Sequence, residues 1–132
     1  MKIYFWKIDE ESEWIAINEK GGRHDIVVQI GENYYPQIDC VDYQSFILRC
    51  NYYMETEGYY NDLTPRTILV KEVTKDCIIE TIKKLALGDF FKLLKPKTLQ
   101  QVKDLYKPYY KYHNLGLEFY DDWHVVYDDG KD

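Results

Sequence analysis

Thr74-Lys75-Asp76-Cys77-Ile78-Ile79-Glu80-Thr81-Ile82-Lys83-Lys84-Leu85-Ala86-Leu87-Gly88 decides the class of fold this chain adopts. Ile78, Ile79, Ile82, Leu85 and Ala86 fall at the spacing that gathers side chains onto one stripe of an α-helix. Thr74 or Asp76 opens it, Lys83 and Lys84 lie towards its C-terminal end, and Gly88 stops it. A helix with one apolar stripe needs another layer to cover that stripe. What flanks it in the sequence names the layer.

Upstream the pattern is mostly that of strands. Lys2–Ile8 is rich in Ile, Tyr, Phe and Trp, alternates, and ends at Asp9-Glu10-Glu11-Ser12-Glu13. Glu13–Ile17 reads as a second short strand, Asn18-Glu19-Lys20-Gly21-Gly22 as a turn, and Arg23–Ile30 as a third strand broken by Gly31-Glu32-Asn33. Three strands joined by short turns make an antiparallel meander. From Asp42 the residues Tyr43, Phe46/Ile47, Cys50 and Tyr53/Met54 recur at helical spacing, with Asp42 placed to cap and Gly58 to stop; a strand over 45–53 is the competing pattern. Arg66–Val70, after the loop Asn61–Pro65, is a β-branched run suited to another strand.

Downstream, Phe90, Phe91, Leu93 and Leu94 form a short apolar turn, and Thr98 with Gln101 is a capping box. A helix should run from Leu99 until Pro108 stops or kinks it. Leu115–Tyr120 and Trp123–Tyr127, on either side of Asp121-Asp122, look like a C-terminal hairpin whose alternation would put Trp123, Val125 and Tyr127 on one face. The expectation is one α+β domain over residues 1–132. It has a mainly antiparallel sheet, an N-terminal meander plus a C-terminal hairpin, with two to three helices packed on one face.

Charge is sorted along the chain. Residues 1–70 carry 6 Lys+Arg against 12 Asp+Glu, residues 71–112 carry 10 against 5, and residues 113–132 carry 1 against 6, so the stretches run −6, +5 and −5 within a net −6. Separate fields of opposite sign steer charged partners and suppress wrong ones. Tyrosine adds to this, with 14 residues of which eight form adjacent pairs at 34/35, 52/53, 59/60 and 109/110. Neighbours on a one-faced element cannot both be fully buried, so some rings reach the surface, where tyrosine is a favoured interface residue. An AT-rich bacterial genome would encode a similar excess of Tyr, Lys and Ile with little Ala.

Several function classes lose support. Cys40, Cys50 and Cys77 are odd in number and match no CxxC or Cys/His ligand spacing, so reduced thiols and no metal are expected. Acidic clusters lack the spacing of a calcium loop. No G-x-S-x-G or H-E-x-x-H motif marks a catalytic site, and His24-Asp25, His113 and His124 would need convergence in space to act with an acid or thiol. No cofactor is expected. The acids reached by Asp9 exclude a signal-peptide core, and no apolar run approaches about 18 residues, so a cytoplasmic location without membrane contact is expected. Lys92–Lys111, with Lys95, Lys97, Lys103 and Lys107 among Tyr106, Tyr109, Tyr110 and Tyr112, has the footprint of single-stranded nucleic-acid binding. Three arginines in the whole chain and a net −6 weigh against it.

The C-terminus carries the strongest binding pattern. Glu118, Asp121, Asp122, Asp128 and Asp129 interleave with Tyr120, Trp123 and His124, giving aromatic anchors inside a charged rim. A small acidic α+β domain without catalytic motifs, carrying the run Glu118-Phe119-Tyr120-Asp121-Asp122-Trp123-His124, resembles the immunity proteins of bacterial toxin–immunity systems. That resemblance implies neutralisation of a cognate basic toxin, with acids standing in for phosphates and Tyr and Trp rings supplying buried anchors; the absence of a long apolar seam separately leads to the expectation of a monomer or weak dimer. A nucleic-acid-associated or phage-related module using Lys92–Lys111 is the alternative. A small enzyme using one of the histidines is the second.

Overall fold

The computed structural model describes residues 1–6, 21–60, 64–112 and 123–131. Five strands, β1 (Lys2–Trp6), β2 (Gly22–Ile30), β3 (Asn33–Asp42), β4 (Thr67–Val70) and β5 (Trp123–Asp128), form one sheet in the order β4-β3-β2-β1-β5. Among the described residues three helices accompany it: α1 (Tyr43–Thr56), α2 (Lys75–Leu87) and α3 (Leu99–Tyr112), with a 3₁₀ turn at Phe91–Leu93. The sheet is mostly antiparallel and the class is α+β, as expected. Chain contacts divide the molecule into two compact units, and β2 and β3 contribute residues to both.

In the unit formed by β1, Asp25–Gln37, α3 and β5, the antiparallel pair β1/β2 sets Ile3 opposite Val28 and Tyr4 opposite Val27. Two-fold alternation sends these pairs to opposite faces, yet Ile3, Phe5, Ile26, Val27 and Val28 are all fully buried. Both faces of the sheet centre are therefore covered. On the Val27 face, α3 places Val102 and Tyr106 beside Trp123, with Tyr4, Tyr34 and Leu105 packed around them. The capping box forms as expected: the Thr98 N–H donates to Gln101 Oε1 at 2.8 Å and the Gln101 N–H to Thr98 Oγ1 at 3.2 Å. Pro108 does not end α3, which continues to Tyr112; the proline only leaves one carbonyl a turn earlier without its helical donor.

Gly31-Glu32 joins β2 to β3 as a two-residue hairpin, with Gly31 at φ 61 in the position where such turns favour glycine. The strand that follows was hidden in the sequence. Pro36 argues against a strand interior, and Gln37 at φ 60 shifts the alternation, so the burial of 33–42 follows no two-residue period. Asp25 at φ 58 does the same in β2. The Tyr106 hydroxyl serves both: it accepts from the Gln37 N–H at 3.2 Å and lies 3.5 Å from Asp25 Oδ1.

The other unit holds the start of β2, the end of β3, α1, β4, α2 and the 3₁₀ turn. Here β3 and β4 run parallel, with Cys40 beside Ile68 and Asp42 beside Val70, and α1 is the crossover between them. A parallel pair requires such a crossover. α2 buries Ile78, Ile79 and Ile82 as its stripe foretold, with Thr74 accepting the Cys77 N–H at 3.2 Å as N-cap. The 42–56 ambiguity resolves as helix: Asp42 Oδ1 accepts the Ser45 N–H at 2.7 Å, and Gly58, at φ 80, donates to the Tyr53 carbonyl at 3.0 Å. Gly21, at φ 73, lends its carbonyl to the Asp42 N–H at 3.0 Å, and a Cβ there would collide with the Ser45 hydroxyl and the Asp42 carboxylate. The strand expected at Glu13–Ile17 and the first arm of the C-terminal hairpin, Leu115–Tyr120, lie outside the described residues.

Candidate protein-binding surface

The expected anchor is inside the fold. Trp123 is 7% exposed, its ring centroid 5.1 Å from that of Tyr106 and tilted by 51°. β5 pairs with β1, setting Trp123 on the face that α3 covers, so its ring belongs to the core. A register shift opposite Ile3/Tyr4 then puts Tyr127 against Ile3 and Val125 against Tyr4, so Tyr127 leaves the face that Trp123 and Val125 share. The continuous aromatic face expected over 123–127 is therefore absent. His124 and Asp128 are exposed. Asp129 accepts from the N-terminal ammonium at 2.7 Å and from the Lys131 N–H at 2.9 Å, which together hold its carboxyl below the ordinary range. Glu118, Tyr120, Asp121 and Asp122 lie outside the described residues.

Aromatic and apolar side chains reach the surface elsewhere. None of the 14 residues of α1 is buried. Leu48 (70% exposed) and Tyr52 (62%) sit one turn apart on its outward side, Tyr43 (61%) and Met54 (55%) project from a flank, and Tyr59 (59%) follows the helix. At roughly 200 Å² per large side chain, these five together expose about 600 Å², spread over the outward side, one flank and the segment after the helix. Phe46, Tyr53 and Tyr60 form the half-buried footing, with centroids at 6.0 Å for Phe46–Tyr60 and 5.2 Å for Tyr53–Tyr60. Tyr52 extends this aromatic chain outward, 5.5 Å from Tyr53 and edge-on to it. All of these rings belong to α1 or to the residues just after it.

Charge around α1 is sparse and acidic. Between Asp42 and Glu57 stand Asp42, Glu55 and Glu57 against Arg49 alone. The combination of aromatic anchors and acidic rim that the sequence suggested for the C-terminus is met here. Sequence reading missed it because the same residues, Tyr43, Ile47 and Met54 among them, also fit a buried helical stripe. Only the direction of the helix, with Phe46, Cys50 and Tyr53 turned inward, separates the two.

At the first turn of α1 an open cleft of about 510 Å³ is lined by Asp42, Tyr43, Gln44, Lys71 and Glu72. It lies where β3 and β4 end, since Asp42 and Val70 are their last paired residues.

The remaining candidates diverge. His24 turns to Asp39 on β3 (3.3 Å) and Asp25 towards Tyr106 on α3, so these neighbouring residues meet different elements and do not converge on one site. Cys40 is fully buried; burial, then Asp39 and Cys77, push its thiol up to about 12, which leaves no thiolate at neutral pH. Among the described residues no three His, Cys, Asp or Glu side chains gather as a metal site. Tyr106 of the basic stretch is a core residue, not a stacking platform, and Lys92 pairs with Asp89 at 3.2 Å. Tyr109, Tyr110, Lys111 and Tyr112 have no described side chains. No described helix is long and apolar enough to cross a membrane. The chain matches no family model, no curated protein and no solved structure.

Proposed function

We propose that this chain is a protein-binding module of the inhibitor type, taking a basic partner such as the cognate toxin of an immunity protein. The observation that supports it is α1, a helix with no buried side chain that carries Leu48 and Tyr52 outward on an aromatic footing. Tyrosine is among the residue types that most often carry the binding energy at protein interfaces, and Leu48 adds apolar area beside it. The acids beside them, and the net −6 of the whole chain, favour cationic partners and accelerate their encounter. Asp121 and Asp122 are among the acids that make up that net charge.

A second copy of the chain would bring two acidic rims together, so charge weighs against α1 as a homodimer seam. The function then consists of occupying a partner's surface. No bond is made or broken. Co-expression with the product of the adjacent upstream gene, followed by size-exclusion chromatography, tests the proposal. A stable complex that is lost on Leu48→Asp, in a variant that still melts like the parent, supports it; a complex indifferent to Leu48 overturns α1 as the surface.

A further inference from the structure

We infer that the cleft at the ends of β3 and β4 receives a cationic side chain, an arginine, from the protein that docks on α1. This rests on the proposed function above and names what the partner must present. Carboxyl ends of parallel strands, where a helix begins, are the recurrent place for ligand clefts. The volume of about 510 Å³ lies within the usual range for such clefts, roughly 300–1,000 Å³.

The lining selects the charge of the occupant. Asp42 and Glu72 supply two carboxylates against the one ammonium of Lys71. An anion would meet those two carboxylates, and the Ser45 N–H of the helix start is already taken by Asp42 at 2.7 Å. A divalent cation would need about six oxygen ligands and would face Lys71. A guanidinium fits better. The Asp42 carboxylate is oriented by the Ser45 N–H and by the Ser45 hydroxyl at 3.2 Å, and its remaining lone pairs can still accept. Tyr43, 61% exposed, lines the same cleft and carries a ring of the kind on which a planar cation stacks, and Gln44, also in the lining, carries an amide able to accept. Arginine suits this set better than lysine because its flat fork pairs with carboxylates and stacks on rings. Tyr43 belongs to both cleft and helix, so an arginine here would sit at the margin of the α1 surface.

The test is a titration of the full chain with N-acetyl-arginine methylamide, followed by the backbone amide shifts of Tyr43, Gln44 and Lys71. N-acetyl-norleucine methylamide serves as the control. Saturable shifts with millimolar half-saturation are expected, absent with the norleucine compound. Glu72→Gln should weaken binding by roughly two- to fivefold, the effect of one partly exposed charge pair. Lys71→Ala should strengthen it by a similar factor, a change that damage to the fold would not produce. An equal response to the two compounds, or no change in either variant, overturns the inference. Arginine binding beside a partner complex indifferent to Leu48→Asp supports the cleft while defeating the α1 surface; loss of that complex on Leu48→Asp without arginine binding defeats the cleft alone.

Discussion

Trp123→Ala separates a core ring from an exposed anchor, and its cost can be worked from the packing. The ring is 7% exposed, 5.1 Å from Tyr106, and grouped with the fully buried Val27 and Val102. Truncating a buried tryptophan costs about 3–5 kcal/mol through lost transfer energy and the cavity left behind. That figure includes the lost ring pair with Tyr106, which alone accounts for about 0.5–1.5 kcal/mol. Against a total stability of about 5–15 kcal/mol for a domain, this is a large fraction. Urea unfolding followed by circular dichroism is the assay. With a slope of about 2 kcal/mol per molar, the midpoint should fall by roughly 2 M. Tyr52→Ala, at 62% exposure, should lower the stability by no more than about 0.5 kcal/mol, the low end for a ring pair, since its edge contact with Tyr53 is at the surface. A Trp123→Ala protein as stable as the parent would refute the packing described for β5 and α3.

Other expectations can be checked in parallel. Ile82→Ala should cost about 2–5 kcal/mol because Ile82 is fully buried in α2, whereas Lys84→Ala, on an exposed position, should cost little in the same melts. Gly21→Ala combines a left-handed φ of 73 with a collision against Ser45 and Asp42, so it should cost more than about 1 kcal/mol and reduce α1 helicity in the circular dichroism spectrum. Cys40, held up to about 12, should resist a disulfide reagent at pH 8 until the protein unfolds, while the half-buried Cys50 and Cys77 react first. Its folded value lies above the ordinary 9.0, so the contribution of Cys40 to stability is complete below about pH 9 and is lost as pH rises towards 12; Cys40→Ser should flatten that part of the stability–pH curve.

What could be read from the sequence was whatever local chemistry determines. The stripe of α2, the Thr98/Gln101 capping box, the Asp42 and Thr74 caps and the glycine stop at Gly58 each depend on neighbours within a few residues, and each is found in place. β3 was hidden because its irregularity is long-range in origin. Gln37 and Asp25 take left-handed backbones that the Tyr106 hydroxyl, 69 and 81 residues further on, helps to hold. The pairing of β5 with β1 likewise joins the two ends of the chain, and no local pattern reveals that this pairing places Trp123 beneath α3. Amphipathicity marks a helix but not which of its sides is covered. For α1, with apolar residues around most of its circumference, that distinction is the difference between core and surface.

The central claim is that α1 is the surface through which this chain holds a partner. Its most direct test is the dissociation rate of the complex with the co-expressed upstream product, measured for Tyr52→Ala and Leu48→Asp beside Asp128→Asn on the β5 edge. Anchor residues act on dissociation and exposed charges on association. The account predicts dissociation at least about thirtyfold faster for the two α1 variants, the equivalent of about 2 kcal/mol, with melting unchanged, and a slower, salt-sensitive association alone for Asp128→Asn. Unchanged dissociation in both α1 variants, with the complex intact, would contradict it.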